Sequence, residues 1–200
     1  MLFRSLTMLK LTRADLLTLE AYHDQRADMR RAVLAHKTRR KVFIGAHAAL
    51  YFEDRLTVHY QIQEMLRVER IFASAAIEDE LAAYNPLIPD GDNLKATFML
   101  EYEDVTERQA ALAALRGVEH RVWLEVAGQP RVVAVADEDL ERADDEKTSA
   151  VHFLRFQLPA LAVTAFKHGL EVKFGIEHPA YRAEVTLATS VREALAADFS

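Results

Sequence analysis

LKATFMLEYEDVTERQAALAALRGVEHRVWLEVAGQPRVVAVA, residues 94–136, decides the fold class. Residues 94–101 read as a strand. Residues 106–116 are dominated by strong helix formers, and Gly117 stands where a helix ends on a left-handed residue. Residues 120–127 and 131–136 are valine-rich alternating runs, and Ala127-Gly128-Gln129-Pro130 between them has hairpin turn chemistry. Strand, helix and hairpin in that order point to a mixed α and β chain.

The order then recurs. Residues 149–157 read as a strand and 159–168 as a helix opened by Pro159 and closed by Gly169. Strands 170–176 and 181–188 follow, separated by Glu177-His178-Pro179-Ala180. The two β-α-β-β units are offset by roughly 50 residues, a length suited to a supersecondary repeat. Around their glycines, GVEHRVWLEV and GLEVKFGI share only Gly, an aliphatic residue and Glu. Duplication and chance therefore both stay open. Between the units, the acidic run 137–147 (DEDLERADDEK) is a solvated loop or short helix. Ser190 and Glu193 cap a last helix to about residue 198.

Toward the N-terminus, Thr12 and Asp15 mark a helix start, and Leu19, Tyr22, Met29 and Val33 recur at helical spacing over 13–37. Residues 41–53 read as two short strands with Gly45 as a bend, 55–73 as a second helix, and 76–84 as a short third one. NPLIPDGDN, residues 85–93, is the clearest loop and divides a helical part from a strand-rich part. The expectation is an α+β fold: a single domain over 1–200, helical over about 12–84 and strand-rich over about 94–198. Its mixed, mainly antiparallel sheet is packed with helices.

Composition narrows the function classes. The 200 residues carry 25 basic and 31 acidic side chains, a net charge of −6. That balance gives no general attraction to nucleic acid or anionic lipid. The basic run RRAVLAHKTRRK, residues 30–41, falls at a helix end, where cations complement the dipole, so its simplest reading is structural. With no cysteine, thiolate metal sites, iron–sulfur ligation, disulfides and cysteine nucleophiles are excluded. MLFRSLTMLKLTRADL reads as neither signal peptide nor membrane span, so the expected address is the cytosol.

No strong catalytic motif is present: GxGxxG, GxxxxGK[ST], GxSxG and HExxH are all missing. Glu20-Ala21-Tyr22-His23 has the Glu-x-x-His spacing of di-iron bundles, but a second such pair is lacking, so no metal is assigned. On the second helix Thr57, Gln61 and Glu64 form a polar stripe, with Glu53 one turn before it and His59 and Gln63 as a separate pair. Such a stripe either binds a ligand or metal, or is a solvent-facing flank, or locks the helix to a neighbour by hydrogen bonds. His152 shares a strand face with Leu154 and Phe156, where a histidine is more often a hydrogen-bonded core group than a ligand. His178 precedes Pro179 in a turn.

The stretches 52–71 (FEDRLTVHYQIQEMLRVERI), 83–102, 121–156 and 175–181 (GIEHPAY) resemble a bacterial family catalogued as domain of unknown function 3501. The resemblance runs from about Leu11 to Tyr181 and carries no assigned activity. It implies a cytosolic accessory role beside rubrerythrin-like di-iron proteins or iron–sulfur oxidoreductase subunits, with the redox centre on the partner.

Two readings compete. In one, the chain is an accessory or binding protein of such a redox system, self-associating and touching neither nucleic acid nor membrane. In the other, it is a metal- or cofactor-dependent enzyme with its site near the second helix, drawn from Gln61, Glu64, Arg67, Asn85, Lys95, His152, His178 and Tyr181. Those eight are chosen as polar residues of the resembling segments, and no catalytic residue or cofactor is assigned.

Overall fold

The computed structural model describes residues 10–139, 142–143 and 147–200. Its elements run α1 (Leu19–Lys37), β1 (Lys41–Ile44), β2 (Ala48–Phe52), α2 (Arg55–Val68), α3 (Ser74–Tyr84), β3 (Asn93–Leu100) and α4 (Val105–Ala114). There follow β4 (Val122–Val126), β5 (Val132–Val133), β6 (Val135–Ala136), β7 (Val151–Gln157), α5 (Ala160–Lys167), β8 (Val172–His178), β9 (Tyr181–Thr186) and α6 (Thr189–Ala196). Residues 1–9, 140, 141 and 144–146 lie outside the described residues, and with them part of the N-terminal leader reading and of the acidic run.

The α+β class holds, but the single mixed sheet is replaced by two sheets whose pairings are all antiparallel. One is five-stranded, β1-β2-β3-β7-β6, and the other four-stranded, β5-β4-β8-β9. The difference arises in residues 131–136, which alternate like one strand. Val132 and Val133 pair with β4, whereas Val135 and Ala136 pair with β7, so the chain changes sheet at Ala134. The β1–β2 hairpin comes from the N-terminal part and extends the first sheet by pairing Leu50 opposite Phe98. In each sheet, corresponding strands of the two β-α-β-β units meet: Thr97 faces Phe153 across β3–β7, and Leu124 faces Phe174 across β4–β8.

The core lies between the sheets. Period-two alternation sends Leu94, Ala96, Phe98 and Leu100 of β3 inward, against Leu124, Phe174 and Ile176 of the other sheet. α4, α5 and α6 add Leu112, Phe166 and Leu195 to this cluster. Opposite the β5–β6 crossing, Tyr181 of β9 closes a seam against the β1–β2 turn: its hydroxyl donates to Ile44 O at 2.6 Å and accepts from His47 N at 3.1 Å.

A second apolar cluster, Leu11, Val58, Ile62, Leu66, Leu81 and Ile88, unites the N-terminal segment, α2, α3 and the 85–93 loop. Two helix readings change here. The helix expected over 13–37 is a 3₁₀ turn at Arg13–Asp15 and then α1 from Leu19. The break has a tertiary cause: buried Gln63 accepts from Leu17 N at 2.7 Å and donates to Leu17 O, while His59 Nε2 reaches Asp15 O at 2.9 Å. Thr18 then caps the new start by accepting from Ala21 N. The second helix stops at Val68 because Arg70 turns left-handed, at φ 54°, and Ile71 N returns to Leu66 O. α6 begins after Ala188, with no side-chain cap from Ser190.

Candidate ligand-binding cleft

The outer face of β3 presents Asn93, Lys95, Thr97 and Met99, the residues that alternate with its core set. Opposite them on β7 stand Phe153 and Arg155. This face is not flat against the helices. A depression of about 460 Å³ runs between Thr97, Met99 and Tyr51 on the sheet and Val58 and Gln61 of α2. A second, of about 390 Å³, continues past Lys95 and Arg155 beneath Ala83 and Pro86. Tyr84, Leu87 and Phe153 line both, so the two meet at an apolar waist. Each volume falls in the range of small-molecule sites, and an apolar lining with a few convergent polar groups is their usual composition.

The polar ends are held by the fold. At the α2 end Glu53 accepts from Thr57 Oγ1 at 2.6 Å and from Thr97 Oγ1 at 2.8 Å, which ties helix to sheet. Behind it, buried Arg40 donates to Phe52 O, Glu53 O and Asp198, while His36 Nε2 lies 2.5 Å from Asp54 Oδ2. Burial raises Asp198 to about 6 despite Arg40 beside it. At the other end the Lys95 ammonium donates to Pro86 O at 2.7 Å and Ile88 O at 3.0 Å, and pairs with Asp90 at 2.7 Å. Burial lowers the pKa of Lys95. Burial opposes ionisation of Asp90, but hydrogen bonds from Lys95, Lys10 and Asn93 outweigh it and hold that carboxyl well below its ordinary range. Arg155 makes a two-pronged contact with Glu138, each bond 2.7 Å.

Of the eight side chains singled out in the sequence, Gln61 and Lys95 line the cleft. The other six lie elsewhere. Glu64 faces α1, accepting from Tyr22 OH at 2.5 Å and from Arg26 at 2.7 and 2.9 Å, with Arg67 at 3.2 Å. The Arg26 bonds are the main cause that lowers Glu64 to about 2. Asn85 clamps the Leu11 backbone in both directions, at 2.7 and 2.8 Å. His178 reaches Arg116 O at 3.0 Å and accepts from Ala180 N, which fixes its turn. Tyr181 is the seam residue. The polar stripe thus divides: Thr57 and Gln61 serve the cleft side, Glu64 the helix–helix contact.

His152 is fully buried in a polar chain inside the core. Its Nδ1 lies 2.6 Å from Asp137 Oδ2; its Nε2 lies 3.0 Å from Ser149 O and 2.9 Å from Thr148 Oγ1, and that hydroxyl donates to Glu119 at 3.0 Å. Asp137 also accepts from Phe153 N at 2.9 Å and is left-handed at φ 50°. Glu20 and His23 are both exposed on α1, and among the described residues no group of three or more His, Cys, Asp or Glu is placed to hold a metal ion. Within the basic run, Arg31 pairs with Asp28, His36 with Asp54, Arg40 is buried, and Lys41 lies over the Phe43 and Tyr51 rings. Sequence reading missed Tyr84, Leu87, Met99 and Phe153, which form the waist and floor. Only the alternation of β3 and β7 signals that these strands have a second, partly buried face, on which Met99 and Phe153 stand.

The fold and cleft define a class: an α+β protein of two antiparallel sheets, with a small-molecule-sized cleft under its N-terminal helices. The chain belongs to the family described as "Protein of unknown function (DUF3501)", whose model matches residues 10–199. It is similar to a novel protein of unknown function from Burkholderia pseudomallei, known from a crystal structure at 1.90 Å resolution. The two are 50% identical with a TM-score of 0.91, covering 96% of this chain and 100% of that one. No curated protein compared with the chain matches it. Among the described residues no helix is long and apolar enough to cross a membrane.

Proposed function

We propose that this protein is a binding protein whose small-molecule ligand sits between the N-terminal helices and the outer face of the five-stranded sheet. The observation that carries the reading is the waist, where Tyr84, Leu87 and Phe153 join two depressions that each end in fixed polar groups. An apolar channel with ordered polar ends favours an organic molecule over a bare ion. The test is a thermal-shift screen of the purified chain against fractionated small-molecule extract. A ligand at a hundred times its Kd stabilises by about 2.7 kcal/mol, a readily measured shift. Met99→Trp, which fills the floor from the half-buried side, abolishes that shift if the cleft is the site; an undiminished shift refutes it.

The family resemblance supports a cytosolic, self-associating accessory protein of a rubrerythrin-like or iron–sulfur redox system. The absence of cysteine accords with a redox centre carried by the partner. Purification from native extract checks this: a di-iron or iron–sulfur protein comigrates at fixed ratio, and a lone species at native abundance counts against it. The metal- or cofactor-dependent enzyme reading draws on the same cleft through Gln61 and Lys95. Elemental analysis with a visible spectrum on anaerobically purified protein separates the two, since near-stoichiometric metal or a chromophore favours the enzyme.

A further inference from the structure

The charges that line the cleft are nearly all matched within the protein. Lys95 is taken by Asp90 and two carbonyls, Arg155 by Glu138, and Asp90 by Lys10 and Lys95. Glu53 already accepts two hydroxyl protons. Lys37 differs. It is half-buried at the last turn of α1 and lines the larger depression, yet among the described residues its ammonium makes no hydrogen bond or ion pair. Gln61, exposed at the rim of the same depression, has an amide with no protein partner among the described residues. A cation and an amide donor left open on one depression match a carboxylate or similar oxyanion, with Gln61 adding directional N–H groups.

The rest of the channel sets the body of the ligand. From Met99 to Lys95 the outer face of β3 runs four residues, about 14 Å at the strand rise. Tyr84, Leu87 and Phe153 narrow it midway with apolar surface. Resting on the ligand-binding reading above, we infer that the ligand is a monoanionic amphiphile, an acyl or aryl carboxylate. Its carboxylate sits at Lys37 and Gln61, and its apolar body passes the Tyr84–Phe153 waist toward Lys95. Lys37 brings a single positive charge and Glu53 at the same end opposes any anion, so a head with more than one negative charge is disfavoured.

The experiment is isothermal titration of the purified full chain with octanoate, octanol and octylamine, which share one body and differ in head. Octanoate binds at least tenfold tighter than either neutral or cationic probe. Lys37→Met keeps the stem and removes the charge; being half-exposed, it spares the core, and it lowers octanoate to the affinity of octanol while leaving octanol unchanged. Equal affinity for the three probes, or preference for octylamine through Glu53, overturns the anionic head. If none binds while extract still gives a shift sensitive to Met99→Trp, the amphiphile inference fails and the binding reading stands. If neither binds, both fail.

Discussion

Gly175→Ala tests the packing of the four-stranded sheet through the one tryptophan in the chain. Gly175 lies opposite Trp123 across β4–β8, and the indole lies over the glycine where a side chain would stand. A Cβ placed there would sit 2.1 Å from Trp123 Cζ2 and 2.4 Å from Cε2. Carbon atoms in contact prefer about 3.5–4.0 Å, so the ring has to move by more than 1 Å. Trp123 is also covered by Arg131, whose guanidinium carbon is 3.7 Å from the ring centroid. Overpacking costs about 1–3 kcal/mol, and loss of the cation–π contact about 0.5–1 kcal/mol. Replacing glycine inside a strand returns about 0.5–1 kcal/mol of chain entropy. The net loss is about 1–3 kcal/mol, a fall in Tm of about 2–12 °C for a chain of this size. Thermal denaturation followed by circular dichroism reads the stability, and tryptophan emission reads the ring, which shifts to the red as it leaves its 5%-exposed position. Trp123→Leu combined with Gly175→Ala costs less than the sum of the single changes, because the clash is shared. An unchanged Tm with an unchanged emission maximum would refute the placement of Trp123 on Gly175.

Arg70→Gly relieves a left-handed residue at the end of α2 and raises stability by about 0.5–1 kcal/mol, read by urea denaturation. Tyr181→Phe removes a hydroxyl with two partners, costs about 1–2 kcal/mol and speeds hydrogen exchange at the β1–β2 turn. Glu64 is lowered from 4.5 to about 2, so its contribution is complete above pH 4.5 and is lost as pH falls through 2. Glu64→Gln therefore flattens the acid limb of stability against pH in that window. Asp198 has the opposite sign: raised from 3.8 to about 6, it keeps its proton longer when folded, so stability falls as pH rises between those values. Asp198→Asn removes that slope.

The elements were legible where local pattern and tertiary structure agree, as in the two strand–helix–hairpin units, the Val-rich runs and the glycine stops. What stayed hidden depends on long-range partners. Near Leu16 and Leu17 only Thr18, a capping residue, marks a fresh helix start; the break itself is held by Gln63, 46 positions away, bonding the Leu17 backbone. Residues 131–136 alternate smoothly, so the sequence carries no mark of the change of sheet at Ala134. Polarity is what marks the candidate side chains in the sequence, and polarity alone does not distinguish a clamp from a ligand site. Glu64 and Asn85 look like ligands in sequence, but their oxygens are consumed by Arg26 and by the Leu11 amide. The apolar surface of the cleft comes instead from Met99 of β3, Phe153 of β7 and Tyr84 and Leu87 at the α3 end, which read as ordinary core until α2 and the 85–93 loop leave them half-covered.

His152 acquires a role from this arrangement without touching the cleft. Strand alternation sends His152 inward and its neighbour Phe153 outward to the waist. Asp137 binds both, through its carboxylate to the His152 ring and to the Phe153 amide, and it holds a left-handed backbone to do so. The next residue, Glu138, lines the cleft and fixes Arg155 beside Lys95. A buried histidine, a strained aspartate and the floor aromatic thus form one brace. The polar chain in the core sets where the cleft wall stands, which is a physical reason to keep four polar side chains, Asp137, His152, Thr148 and Glu119, together in a core where apolar residues would otherwise pack.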